Sequence, residues 1–195
     1  LRVGDFSLNA TNQLSVRELL SRGLSAFTPA FDLDSAQLVA LLKAGFASFA
    51  EVVVHHPMPL FHMEHCVFAR ELSTGKDHRD CGRPCERHSL SLRDRAGVEH
   101  PVIADVGCRN TVFHASPQSA ASLVPELQSA GVCRFRVELV RENEADTVKV
   151  VSAYRELLDG KATGQETYRR LRAESSYGVV RGSLRILSHT PSELH

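Results

Sequence analysis

Runs suited to strands and stretches suited to helices alternate along the first third of the chain. Ser15-Val16-Arg17-Glu18 has the form of a capping box, and Gly23 offers a left-handed stop, so a helix is predicted from about Ser15 to Arg22. Leu24 to Thr28 predicts a short strand. Asp34 then suits the cap of a second helix that carries Leu38, Leu41 and Leu42 on one face. Glu51-Val52-Val53-Val54-His55-His56 is continuous and β-branched, the pattern of a strand buried on both faces, as in a parallel sheet. Strand, helix, strand, helix, strand predicts βαβ units and hence an α/β fold. Such units place functional residues in loops after the carboxyl ends of their strands, here Phe6 to Asn12 and Pro57 to His65. Asp5 and Asn9 are candidates by that position, although Asn9 also suits the shaping of its turn.

From Thr74 to Gly107 the pattern changes to short β-like pieces, among them Ser89 to Asp94 and His100 to Asp105, which reads as a β-rich insertion. A βα pattern then returns. Thr111 to His114 predicts a strand, Ser119 to Ala130 a helix, Arg134 to Val140 a strand, and Asp146 to Asp159 a long helix ended by Gly160. The expected division is a domain over 1–160, with a cysteine-bearing segment at 66–108, and a peripheral polar tail over 161–195 whose end lacks order. Three or four βα units are too few to close an eight-stranded barrel, so a parent barrel would need further strands over the exposed sheet edges.

Four of the five cysteines change this picture. They fall as Cys66-x14-Cys81-x3-Cys85-x22-Cys108 in a segment rich in His, Arg and Asp, directly after the second candidate loop. Thiolates are soft donors matched to zinc and to iron–sulfur clusters, and four of them complete a tetrahedral shell or the corners of a cubane. Disulfides or unrelated buried thiols are the alternatives. A chain of 195 residues with 43% hydrophobic residues has enough core not to depend on disulfides. Cys133 stands apart, at a turn entering a half-buried strand, and is expected to be a core thiol.

Formal net charge is zero, which argues against a broad electrostatic nucleic-acid footprint while leaving room for a local patch. The longest apolar run falls well short of the roughly 18 residues a spanning helix needs, so no membrane span is expected. No secretory signal is evident, and a cytoplasmic location is expected. The chain opens at Leu1, already resembling the end of a strand, so its N-terminal part is expected to be missing.

Several spaced motifs carry a resemblance. His62-Met63-Glu64-His65-Cys66, Cys81-Gly82-Arg83-Pro84-Cys85-Glu86, Leu92-Arg93-Asp94-Arg95 and Asp105-Val106-Gly107-Cys108-Arg109-Asn110-Thr111 occur in that order, flanked by Gly4 to Asn9 and Gly131 to Glu138. Over residues 3 to 160 the chain resembles the peptidase U32 family of collagenase-like proteases. The resemblance implies the C-terminal part of a TIM-barrel-like domain in which Cys66, Cys81, Cys85 and Cys108 hold a [4Fe–4S] cluster. It also implies oxygen-independent hydroxylation of a tRNA or rRNA base or of a quinone precursor, with prephenate as oxygen donor. Its alternatives are a peptidase acting on unfolded or collagen-like chains and a non-catalytic module organised by zinc.

The residues themselves lean against proteolysis, since neither a His-Glu-x-x-His helix nor a Gly-x-Ser-x-Gly elbow occurs. His62 and Glu64 are candidates for acid/base or positioning roles beside the cysteines, or for hydrogen bonding that supports them. Arg109 follows the last cysteine, where its guanidinium suits a dicarboxylate such as prephenate, or an ion pair with Asp94 or Asp105. Arg93-Asp94-Arg95 reads as a solvated turn with one ion pair more readily than as a phosphate contact.

Overall fold

The computed structural model describes residues 2–75, 78–174 and 180–182. Strand β1 (Val3–Gly4) leads into Asp5, whose carboxylate caps a 3-10 turn at Phe6–Leu8. Helix α1 (Gln13–Ser21) starts earlier than predicted because Asn12, not Ser15, is its cap. Asn12 Oδ1 accepts from the amides of Leu14 and Ser15 at 3.0 Å, and Ser15 Oγ returns the bond to Asn12 N at 3.2 Å. The chain turns at Gly23, with φ +91°, into β2 (Ala26–Phe27). Asp34 caps α2 (Ser35–Leu41) as predicted, trading bonds with Gln37, and Leu38, Leu41 and Leu42 are buried. A π turn at Leu42–Phe46 extends this helix to Gly45, whose φ of +101° breaks it. Strand β3 (Glu51–His56) follows, buried from Val52 onward.

The next stretch differs from expectation in two places. Pro57 to His65 is not a loop, because β4 (Pro59–Met63) occupies its middle. After α3 (Val67–Leu72) come β5 (Leu90–Arg93) and β6 (Glu99–Ala104), close to the predicted β-like pieces. Strand β7 (Asn110–Phe113) belongs with them rather than with a returning βα unit: the four strands form an antiparallel sheet in the order β4-β7-β6-β5. Its pairings put Met63 opposite Asn110 and Ala104 opposite Asn110, so these side chains share the face packed on Phe68 of α3.

The predicted helix from Ser119 is shortened at its start. Gln118–Ser119 form β8, a 3-10 turn follows at Ala121–Leu123, and Pro125 sits in the first turn of α4 (Val124–Ser129). Strand β9 (Arg134–Val137) is shorter than predicted, and α5 (Glu144–Leu158) begins under an Asn143 cap that accepts from Asp146 N at 2.9 Å. Helix α6 (Gly164–Glu174) is a further difference from a peripheral tail. Thr167 and Leu171 are 2% exposed, and Leu171 joins the main core. A Cβ on Gly164 would meet the carbonyl oxygen of Ala121 at 2.4 Å, so only glycine permits this close approach of α6. The expected disorder at the tail's end falls outside the described residues.

Two compact units result: the described residues before Pro57 and after Pro117 form one, and Pro57–Pro117 the other. In the first, β1 pairs parallel with β2, a parallel bridge joins Phe27 to Ala50, and β3 pairs parallel with β9. Strand β8 runs antiparallel to β3 at its carboxyl end. The α/β class is thus present, but among the described residues the strands do not close into a barrel. One face of β3 sends Val52 and Val54 into a core with Leu42, Leu127, Val150 and Tyr154, and the Tyr154 hydroxyl donates to Val54 O at 2.7 Å. Pro57–Pro117 has a smaller core of its own, Phe68, Val102 and Val112.

Candidate metal centre

Three separate segments of Pro57–Pro117 deliver the cysteines, each held by its own local device. Cys66 is the cap residue of α3, and its Sγ accepts from Ala69 N at 3.5 Å. Gly82 and Arg83 between Cys81 and Cys85 are both left-handed, with φ +68° and +51°, which turns Arg83 N back onto Cys81 Sγ at 3.4 Å. Arg87 clasps that turn by donating from Nη2 to Gly82 O at 2.7 Å, and buried Pro84 starts the 3-10 turn that carries Cys85. Amides aimed at sulfur stabilise its negative charge, as they do at metal thiolates.

Cys108 is also left-handed, with φ +60°, a strained conformation for a side chain with a Cβ. The loop around it is held by Asp105. Its Oδ1 accepts from the amides of Gly107 and Arg109 at 2.8 and 3.0 Å, and its Oδ2 accepts from Arg109 Nε at 2.9 Å. Desolvation pulls the Asp105 carboxyl upward, but these bonds and the Arg109 charge outweigh it and hold the group below the usual carboxylate range. Arg109 therefore makes the second of its two predicted contacts, a fork on Asp105 that braces the last cysteine's loop. Asp94 has a similar local task, accepting from Ala96 N and Val98 N, while Arg93 pairs with Glu99.

Cys66, Cys81 and Cys108 line one cavity of about 370 Å³, together with Glu64, His65, Ala69, Arg70, Gly75 and His78. Cys85 is exposed and outside this lining, yet within electrostatic reach of Cys108. Desolvation, then the neighbouring Cys66, Cys81 and Cys85 sulfurs, pushes the Cys108 thiol up. A cation among the sulfurs would relieve that repulsion. No three His, Cys, Asp or Glu side chains among the described residues lie close enough to hold a single metal ion. Glu64 is brought to the cavity, whereas His62 is not. His62 lies on the opposite face of the sheet from Met63 and bonds Thr111 Oγ1 at 2.8 Å.

Gly75 is a contribution the sequence did not signal. A Cβ there would fall 2.5 Å from Asp80 O and 2.6 Å from Cys81 Cα, so the bare glycine is what lets the chain lie against the Cys81 backbone. Gly75→Ala is expected to displace Cys81 and, if the cysteines hold a metal, to weaken its retention by about ten-fold or more, as loss of support residues at metal sites commonly does. Retention equal to the parent protein in a chelator competition would refute this.

Outside Pro57–Pro117, Cys133 corrects an expectation. It is exposed, because Val132 takes the inward position at the end of α4 and its neighbour turns out. Asp5 accepts from Arg136 Nη2 at 2.7 Å, and Glu51 and Glu138 share the same guanidinium at 3.0 and 2.9 Å. Desolvation raises Glu138 despite that partner. Asn9 has φ +54° and shapes its turn, the second of its predicted roles.

An α/β unit joined to an antiparallel unit, three of whose four cysteines line one cavity, defines the class of this protein. The chain belongs to peptidase family U32, whose family model matches residues 5–183. No curated protein and no solved structure matches it. No helix among the described residues is long and apolar enough to cross a membrane.

Proposed function

We propose that this chain is the cofactor-bearing part of a U32 protein that hydroxylates an RNA base, in tRNA or rRNA, or a quinone precursor, without molecular oxygen and with prephenate as donor. The observation that carries the reading is the convergence of Cys66, Cys81 and Cys108, from three segments, on one cavity large enough for more than a single ion. The donor set fits a thiolate-bound group. Cys85 would be the fourth ligand, and a bound [4Fe–4S] cluster would supply one-electron redox chemistry. A single tetrahedral zinc on the same four sulfurs, with Zn–S bonds of about 2.3 Å, is the alternative that metal analysis separates from a cluster.

The chain's own residues have narrower tasks. The Ala69 and Arg83 amides hold charge on the Cys66 and Cys81 sulfurs, and Asp105 with Arg109 fixes the loop of Cys108. Glu64, His65 and His78 border the cavity and are placed to orient a substrate or move a proton there. With Arg109 engaged by Asp105, recognition of a dicarboxylate would fall to Arg70 at the cavity wall, in exchange for its exposed pairing with Glu71 at 3.4 Å.

Anaerobic purification followed by iron, sulfide and zinc analysis, visible absorption and EPR after dithionite reduction tests the reading, with Cys81→Ala as control. About four irons and four sulfides per chain, lost in the control, are expected. One zinc without a chromophore would sink the redox reading, and gelatin hydrolysis by protein stripped of its metal would favour the peptidase.

A further inference from the structure

Asn110 is fully buried, on the sheet face turned toward α3. Its Oδ1 accepts from Val67 N at 2.7 Å across forty-three residues of sequence. Val67 opens α3 and follows Cys66, while Asn110 lies two residues beyond Cys108. One side-chain amide therefore spans the segments that bear the first and last of the four cysteines.

A helix cap explains only half of that amide. Val67 N is an orphan donor of a helix start, so the oxygen of Asn110 must face it and the orientation of the group is fixed by chemistry. The remaining half, Nδ2, is buried and has no hydrogen-bond partner. A buried donor left unpaired is costly, and aspartate or serine would cap the helix without it. Cys66 packs against Phe68, Val102 and Val112 and directly precedes the Val67 amide that Asn110 holds, so a sulfur stands one residue from the point Asn110 fixes.

We infer that Asn110 is the positioning residue of the thiolate centre: Oδ1 fixes the helix start that carries Cys66, and Nδ2 donates to a sulfur of the loaded centre. The inference rests on the reading that the four cysteines hold one group. It assigns to Asn110 both the spacing of Cys66 from Cys108 and a share in stabilising negative charge on sulfur.

Asn110→Asp and Asn110→Leu separate the two halves. Aspartate is nearly isosteric and keeps the acceptor for Val67 N, but it lacks the donor; leucine lacks both. Each variant is purified anaerobically beside the parent, and three quantities are read: metal per chain, the rate of metal loss to a chelator, and protection of the Val67 amide from hydrogen exchange. Asn110→Asp is expected to keep Val67 protected yet lose metal about ten-fold faster, with a more negative reduction potential if the group is a cluster. Asn110→Leu should lose protection and metal together. A mere cap predicts parent-like retention and potential for Asn110→Asp, and that result would overturn the inference while leaving the centre intact. Metal content of the parent is measured first: a parent with no cysteine-dependent metal would overturn the reading of the centre, and the inference with it.

Discussion

Loss of one thiolate by Cys108→Ser or, on the proposed reading, chelation of the metal the cysteines hold, is expected to unfold Pro57–Pro117 locally while the other unit keeps its structure. The two cores are very unequal. Among the described residues, Phe68, Val102 and Val112 are the buried apolar residues clustered in Pro57–Pro117, against twenty-three in the main cluster of the other unit. A piece of about sixty residues is marginal even with a well-filled core. Between α3 and β5, turns around Cys81 and Cys85 carry two of the cysteines, so ligation on the proposed reading would supply much of the folding free energy. Amide exchange reads this directly. Protection across β5, β6 and β7 should collapse in Cys108→Ser and in metal-stripped protein, while α5 and β3 amides stay protected. Cys133→Ser, a change at an exposed thiol of the other unit, should leave both unaffected. Full protection of β5 to β7 without metal would show that the antiparallel sheet stands by itself.

Local chemistry was legible in the sequence where a residue acts on its near neighbours. Asp34, Gly23 and the continuous run from Val52 to Val54 each specify their structure within a few positions, and each is as read. Long-range partners were not. Pro59 to Met63 is a strand because Asn110 to Phe113 lies beside it, a pairing across some fifty residues that no local pattern announces. Likewise Asn12 displaced Ser15 as cap by one turn's competition between two good capping residues. In the site, the cysteine spacing singled out the donors, and Asp105 was named as one partner for Arg109. Gly75 and the Nδ2 of Asn110 escaped notice because their importance lies in what approaches them, not in their own residue type.

Acid is expected to destabilise the α/β unit through His55 and His56, at the carboxyl end of β3. Both are nearly sealed, 1% and 3% exposed, His55 edge-on to Tyr154 and His56 against Phe31. Desolvation lowers each imidazole to about 4, with Arg136 adding to the effect on His56 and Glu142 opposing it on His55. The folded state therefore holds these rings neutral while the unfolded chain protonates them near the ordinary imidazole value of 6.5. Above 6.5 neither state gains a proton and stability is flat. Between 6.5 and about 4 the unfolded state alone takes up protons, so stability falls with pH, and below about 4 the two states protonate alike. At about 1.4 kcal/mol per pH unit for each ring, the pair amounts to several kcal/mol, a large part of an ordinary domain's stability. Urea unfolding followed by exchange of α5 amides at pH 7.5 and about pH 4.5 checks this, with His55→Phe and His56→Phe as aromatic replacements that cannot protonate. The double variant should lose most of the acid sensitivity in that window. If its stability falls with pH as steeply as the parent's, the two histidines are not what couples this unit to protons.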